Sequence, residues 1–111
     1  MKMIIAVVQD QDAPFLMDDM AENGIRFTRL ASTGGFMRAG NTTLLSVVED
    51  EQVDGVVDLI ERTCKSRDEV TTARGIHSMG DTHGGYVPHP VTVTVGGAKV
   101  FVLNVDRMIT I

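Results

Sequence analysis

Val53, Val56, Val57, Ile60 and Cys64 recur at i, i+3, i+4, i+7 and i+11, the spacing of one apolar helical face. On either side of that segment the hydrophobic period falls to two, so strands must flank the helix. Residues 91–95 (Val-Thr-Val-Thr-Val) alternate strictly, Gly96-Gly97 follows, and residues 98–105 return, the pattern of a tight hairpin. In that pairing Val95 faces Ala98, Val93 faces Val100 and Val91 faces Val102, forming one apolar sheet face. Upstream, residues 3–8 are a continuous apolar run that suits a strand buried on both faces.

Between these segments the punctuation is equally regular. Asp12 is placed to cap a first helix, with Pro14 in its first turn and Leu16, Met17, Met20 and Ala21 on its apolar side. Asn23-Gly24 ends it. Residues 25–32 alternate, with Ile25 and Phe27 on one face and Arg26, Thr28 and Leu30 on the other. A glycine-punctuated loop leads to a returning strand at residues 41–48, rich in Thr, Leu and Val. Asp50 is placed to cap the second helix. Glu49 and Glu51 lie near its positive end, and Arg62 and Lys65 near its negative end.

The order is β-α-β-β-α followed by a hairpin. It predicts an α+β fold, ferredoxin-like βαββα plus a C-terminal β-hairpin, with an antiparallel sheet and two helices on one face. A chain of 111 residues fits a single domain, 1–111. The sheet face away from the helices carries apolar residues with nothing intramolecular to cover them, which predicts a homo-oligomer. Residues 66–90 hold four Gly, two Pro and all three His, and read as a long irregular loop.

Ten basic against fifteen acidic residues, a net charge of −5, argue against a general DNA, RNA or anionic-membrane binder. The single cysteine, Cys64, cannot form an internal disulfide and suits a reducing compartment. The apolar run at 3–8 is too short for a signal peptide or a membrane span. These features predict a soluble, cytoplasmic protein without membrane insertion. Within the acidic chain, residues 23–48 carry Arg26, Arg29 and Arg38 and no acid. Such a stretch either receives an anion or solvates a strand edge.

Residues 33–41 hold the richest chemistry. Gly34, Gly35 and Gly40 allow backbone amides to point into one concavity, a nest for phosphate oxygens. Arg26 on the adjoining strand adds a charged donor. Phe36, between the glycines, offers a ring for stacking on a base. Asn41 presents the donor and acceptor that match the N6/N7 edge of adenine. The same residues also suit a glycine-rich hairpin whose Phe36 fills a subunit contact and whose Asn41 satisfies backbone. No P-loop or GxGxxG pattern decides between the two. His77, Asp81, His83 and His89 lack the spacing of known zinc motifs and read as solvated loop residues. Ser32, Ser46, Ser66 and Ser78 have no nucleophile-elbow context, and Cys64 lies on an apolar helix face as a small core residue. The seven Met read as core filler.

The stretches KMIIAVVQDQD (residues 2–12), TGGFMRAGNTT (33–43) and VGGAKVFVLNVD (95–106) together resemble the PII-like cyclic di-AMP receptor family of bacteria. The resemblance runs nearly end to end. It implies a homotrimer of ferredoxin-like subunits, related to the nitrogen-regulatory PII proteins, that binds cyclic di-AMP in clefts between subunits. It implies a signal receptor that is not an enzyme, needs no cofactor or metal, and relays ligand binding through loop ordering to an unidentified downstream protein. By the same resemblance Arg26 and Thr28 face the ligand, and Gly34, Gly35, Phe36 and Met37 form the loop contacts. Asn41 reads an adenine, Val47 lies beside the base, and Phe101 lines the pocket. Three positions depart from the pattern: Val47 where glycine is expected, Gly24 where the family often has Asn, and a C-terminus, residues 108–111, without the expected Gln and aromatic residue. Two alternatives are a PII-like sensor of ATP or another adenine nucleotide, and a metal-dependent phosphodiester hydrolase built on His77, Asp81, His83 and His89.

Overall fold

The computed structural model describes residues 1–32, 40–72 and 90–111. In chain order these form β1 (Lys2–Gln9), α1 (Ala13–Glu22), β2 (Thr28–Ser32), β3 (Asn41–Val48), a 3₁₀ turn (Asp50–Gln52), α2 (Val53–Cys64), β4 (Arg67–Thr72), β5 (Pro90–Val95) and β6 (Ala98–Asn104). They fall in two compact units. One is Met1–Lys65 with Gly96–Ile111, and the other is Ser66–Val95.

The first unit is α+β, a four-stranded antiparallel sheet in the order β2-β3-β1-β6 with two helices. The continuous apolar run sits at β1, paired on both sides, with Ile4 opposite both Ser46 and Val102. Alternation sends Ile4, Ala6 and Val8 to one face, where they join Leu44 and Val48 of β3. Ala13, Leu16 and Met20 of α1 and Val56, Leu59, Ile60 and Cys64 of α2 complete this core. Cys64 is thus a buried core residue. Leu59 joins the face expected for α2, whereas Val57 is only half-buried. Burying a Leu such as Leu16 or Leu44 contributes about 1.5–3 kcal/mol. On β1 the expected burial on both faces holds for residues 6–8, but Met3 and Ile5, which alternate to the other face, are half-buried.

Helix ends follow local chemistry, with differences from the sequence expectation. Asp12 occupies the N-cap position of α1, but its backbone is already helical (φ −91°, ψ −21°) and its side chain makes no capping bond. At the other end Gly24 takes φ +70°, and the Ile25 N–H reaches back to the Met20 carbonyl at 2.9 Å. Asp50 does not cap the second helix. Glu49 and Gln52 form a capping box around the 3₁₀ turn, and Asp50 instead accepts the Met1 ammonium at 2.7 Å. The strand expected over 25–32 begins at Thr28. Ahead of it the Arg26 carbonyl accepts the Ser46 hydroxyl at 2.5 Å, a side-chain bond in place of a ladder bond.

The expected C-terminal hairpin does not form. β5 pairs with β4, with Val95 opposite Arg67 and Val93 opposite Glu69, while β6 pairs with β1 from Lys2↔Asn104 to Val8↔Ala98. Gly96 and Gly97 have the positive φ values (+82° and +89°) that a hairpin turn needs. Their amides, however, go elsewhere. Gly96 N–H donates to Gln9 Oε1 at 2.7 Å, and Gly97 N–H donates to the Cys64 carbonyl at 2.5 Å. Pairing with β1 also lets Ala98 and Val100 pack on the core. The segment 66–90, read as irregular, therefore begins with a strand, β4. Its Arg-Asp-Glu start hid it from a hydrophobic-pattern search. In the second unit the β4–β5 ribbon is held by its ladder and by the Thr94 hydroxyl on Asp68 at 2.8 Å.

Candidate functional site

The sheet face turned away from the helices carries the described part of the expected site. The registers place Thr28, Leu45, Ile5 and Phe101 in one row across all four strands. A second row runs Val47, Met3, Leu103, and a third runs Leu30, Thr43, Val7, Lys99. Asn41 and Gln9 form the start of a fourth. None of these residues is acidic, and Lys99 adds a cation that sequence reasoning passed over. Arg26, continuing the Thr28–Leu30 parity, is exposed beside the end of β3 that holds Val47. Such a face favours an anion and offers apolar surface for a ring system.

The expected residues lie as follows. Thr28 is exposed, Asn41 is buried at 7%, Val47 is half-buried and Phe101 is 40% exposed. Asn41 and Val47 are six positions apart on β3, about 20 Å at roughly 3.3 Å per residue. Thr28 and Phe101 are three strand spacings apart, about 14 Å. A single chain thus shares these residues along one face without gathering them into one pocket. Gly34, Gly35, Phe36 and Met37 lie outside the described residues, as do His77, Asp81, His83 and His89.

Asn41 is set by a cluster that the sequence did not reveal. Asp10, in the turn after β1, donates its N–H to the Gly40 carbonyl at 2.9 Å. Its Oδ1 accepts the Thr42 hydroxyl at 2.6 Å. A Cβ on Gly40 would run into the Asp10 carboxylate, so a larger residue here makes the Asp10 side chain shift and disturbs its bond to Thr42. These bonds bracket Asn41 on both sides. Only the β1–β3 register, with Gln9 opposite Asn41, brings positions 9–10 to positions 40–42.

On the helix side an open cavity of about 220 Å³ is lined by Asn23, Ile25, Gln52, Gly55, Val56, Leu59 and Arg62. It holds none of the expected ligand residues. Among the described residues there is no group of three or more His, Cys, Asp or Glu placed to hold a metal, and no helix long and apolar enough to cross a membrane.

Known proteins match this chain over its whole length. The crystal structure of a functionally unknown protein from Pediococcus pentosaceus ATCC 25745 superposes with a TM-score of 0.79 at 36% sequence identity. The match covers 99% of this chain and 96% of that one. A family model described as the cyclic-di-AMP receptor matches residues 1–111. With the glycine-flanked Asn41 and an acid-free sheet face in place, that full-length match means that the chain belongs to the cyclic-di-AMP receptor family.

Proposed function

We propose that this protein is a cytoplasmic, non-catalytic signal receptor that binds cyclic di-AMP between the subunits of a PII-like homotrimer. The observation that carries the reading is the family match across residues 1–111. It spans both compact units, which supports treating 1–111 as one functional PII-like domain with a ferredoxin-like sheet-and-helix unit. The geometry supports an intersubunit cleft. Asn41 and Val47 stand at opposite ends of β3, so one dinucleotide meets both kinds of contact most simply when two copies each supply one end. Exposed Leu30, Phe101 and Leu103 on the same face give the copies an apolar surface to bury.

In this scheme Arg26 pairs with a phosphate, Asn41 reads an adenine edge, and Thr28, Val47 and Phe101 shape the cleft. Gly34, Gly35, Phe36 and Met37 order around the ligand, and an unidentified downstream protein reads the ordered surface. No cofactor or metal takes part. The test is a structure of the complex with cyclic di-AMP. The expected result is one dinucleotide per interface with contacts from two copies. A ligand bound wholly within one chain, or in the helix-side cavity, would contradict the reading.

A further inference from the structure

Two adjacent residues at the end of β1, Gln9 and Asp10, bond the start of β3 and the glycine pair ahead of β6. Where β3 begins, the Gly40 carbonyl accepts the Asp10 N–H at 2.9 Å, and Thr42 just beyond it donates to the Asp10 carboxylate at 2.6 Å. The segment Ser66–Val95 leaves the sheet unit after Cys64 and Lys65 and returns at Gly96 and Gly97. There Gly97 N–H meets the Cys64 carbonyl, and Gly96 N–H meets Gln9 Oε1 at 2.7 Å. Gln9 is also the register partner of Asn41. A backbone amide at a chain junction is thereby satisfied by a side chain whose own residue is paired with the adenine-reading position.

We propose that Gln9 and Asp10 form a clasp that transmits occupancy at Asn41 to the Gly96 neck, with Gln9 as the positioning residue of the relay. The proposal rests on the cyclic di-AMP reading of the site. The physical basis is competition and rigidity. A ligand that draws on the Asn41 amide shifts β3 against β1 by a fraction of a hydrogen-bond length. Gln9 must then either follow and strain its bond to Gly96, or hold and resist. Gly96 and Gly97 both sit at positive φ, where glycine moves freely, so the neck yields before the paired strands do.

The experiment is residue-resolved amide hydrogen exchange on the full chain, with and without saturating cyclic di-AMP, beside calorimetric titration. It compares the wild type with Gln9→Met, which keeps the side-chain length but removes the acceptor, and with Gln9→Glu, which restores an acceptor. In the ligand-free protein Gln9→Met should speed Gly96 exchange about tenfold, the effect of losing one ordinary hydrogen bond. It should bind cyclic di-AMP within about threefold of the wild type yet lose the ligand-dependent change in exchange at residues 90–97. Gln9→Glu should regain both the slow exchange and the ligand response. Unchanged Gly96 exchange in Gln9→Met, or a ligand response that survives in it, overturns the clasp while leaving wild-type binding intact. A wild type that does not bind cyclic di-AMP overturns the functional reading itself, and the relay with it.

Discussion

Arg26 illustrates what a single side chain contributes and how that contribution is measured. It is exposed just ahead of β2 in a stretch without acids, so Arg26→Ala should weaken cyclic di-AMP binding by about 1.5–3 kcal/mol, the range for a hydrogen bond to a charged group. With a phosphate as the proposed partner, binding by the variant should also depend less steeply on salt. Phe36→Ala should cost a similar amount, about 1–3 kcal/mol, while leaving the salt slope unchanged. Equal salt slopes in titrations of the two variants would contradict the assigned roles. Two glycines make a second comparison. Gly24 needs its positive φ but has nothing within 4 Å of a Cβ, so Gly24→Asn should be nearly neutral and Gly24→Ala should cost about 1 kcal/mol. Gly40 meets the Asp10 carboxylate, so Gly40→Ala should cost about 0.5–1.5 kcal/mol, the net worth of the Thr42–Asp10 hydrogen bond it displaces. Urea unfolding of the three variants checks this ranking. Gly24 was legible as a helix end from the Asn23-Gly24 pair itself. The need for Gly40 was not, because Asp10 lies thirty positions away and meets it only through strand pairing.

Elements were legible where their pattern answers to the core, and illegible where a competing partner decides. β3 was read to the residue from its Thr, Leu and Val content after the glycine-punctuated loop, and the structure turns Leu44 and Val48 into the core. β5 and β6 each alternate well, and their linking glycines suit a hairpin. Alternation alone does not reveal that β1 has a free edge for β6, or that Gln9 and Cys64 take the turn amides. The start of α2 shows the same limit. Asp50 looks like a cap, yet it bonds the Met1 ammonium instead. That hydrogen bond, helped by the charges of the ammonium and Lys2 and opposed by slight desolvation, holds the Asp50 carboxyl below its ordinary value of 3.8. A carboxyl lowered in the folded state stabilises fully above its unfolded value, and this contribution fades as pH falls through the folded value. Asp50→Asn should therefore lower the urea midpoint at pH 7. The difference from wild type should shrink below about pH 4. A constant difference from pH 7 down to pH 2.5 would show that the Met1–Asp50 pair is not its source.

At the level of the whole molecule the open face is the decisive feature. Phe101 and Leu103 of β6 and Leu30 of β2 are each 40% exposed or more, and the C-terminal Met108, Ile109 and Ile111 are more exposed still. Apolar surface of this extent favours association, so the protein should be trimeric without ligand, the dinucleotide adding to an assembly already formed. Multi-angle light scattering that finds a stable monomer at micromolar concentration would contradict this. The α+β class, an antiparallel sheet with two helices, was legible in the sequence because it follows from hydrophobic patterning. The spread of the site was not, since the rows Thr28–Leu45–Ile5–Phe101 and Val47–Met3–Leu103 exist only once the strand order is known. Asn41 offers one donor and one acceptor, which adenine satisfies and guanine, with two acceptors on the same edge, does not. The most direct measurement is a calorimetric titration of the protein with cyclic di-AMP, cyclic di-GMP and ATP in parallel. Cyclic di-AMP should bind at one molecule per chain and at least about tenfold more tightly than cyclic di-GMP, whose guanine offers Asn41 two acceptors. Absence of binding, or equal affinity for cyclic di-GMP, would contradict the account.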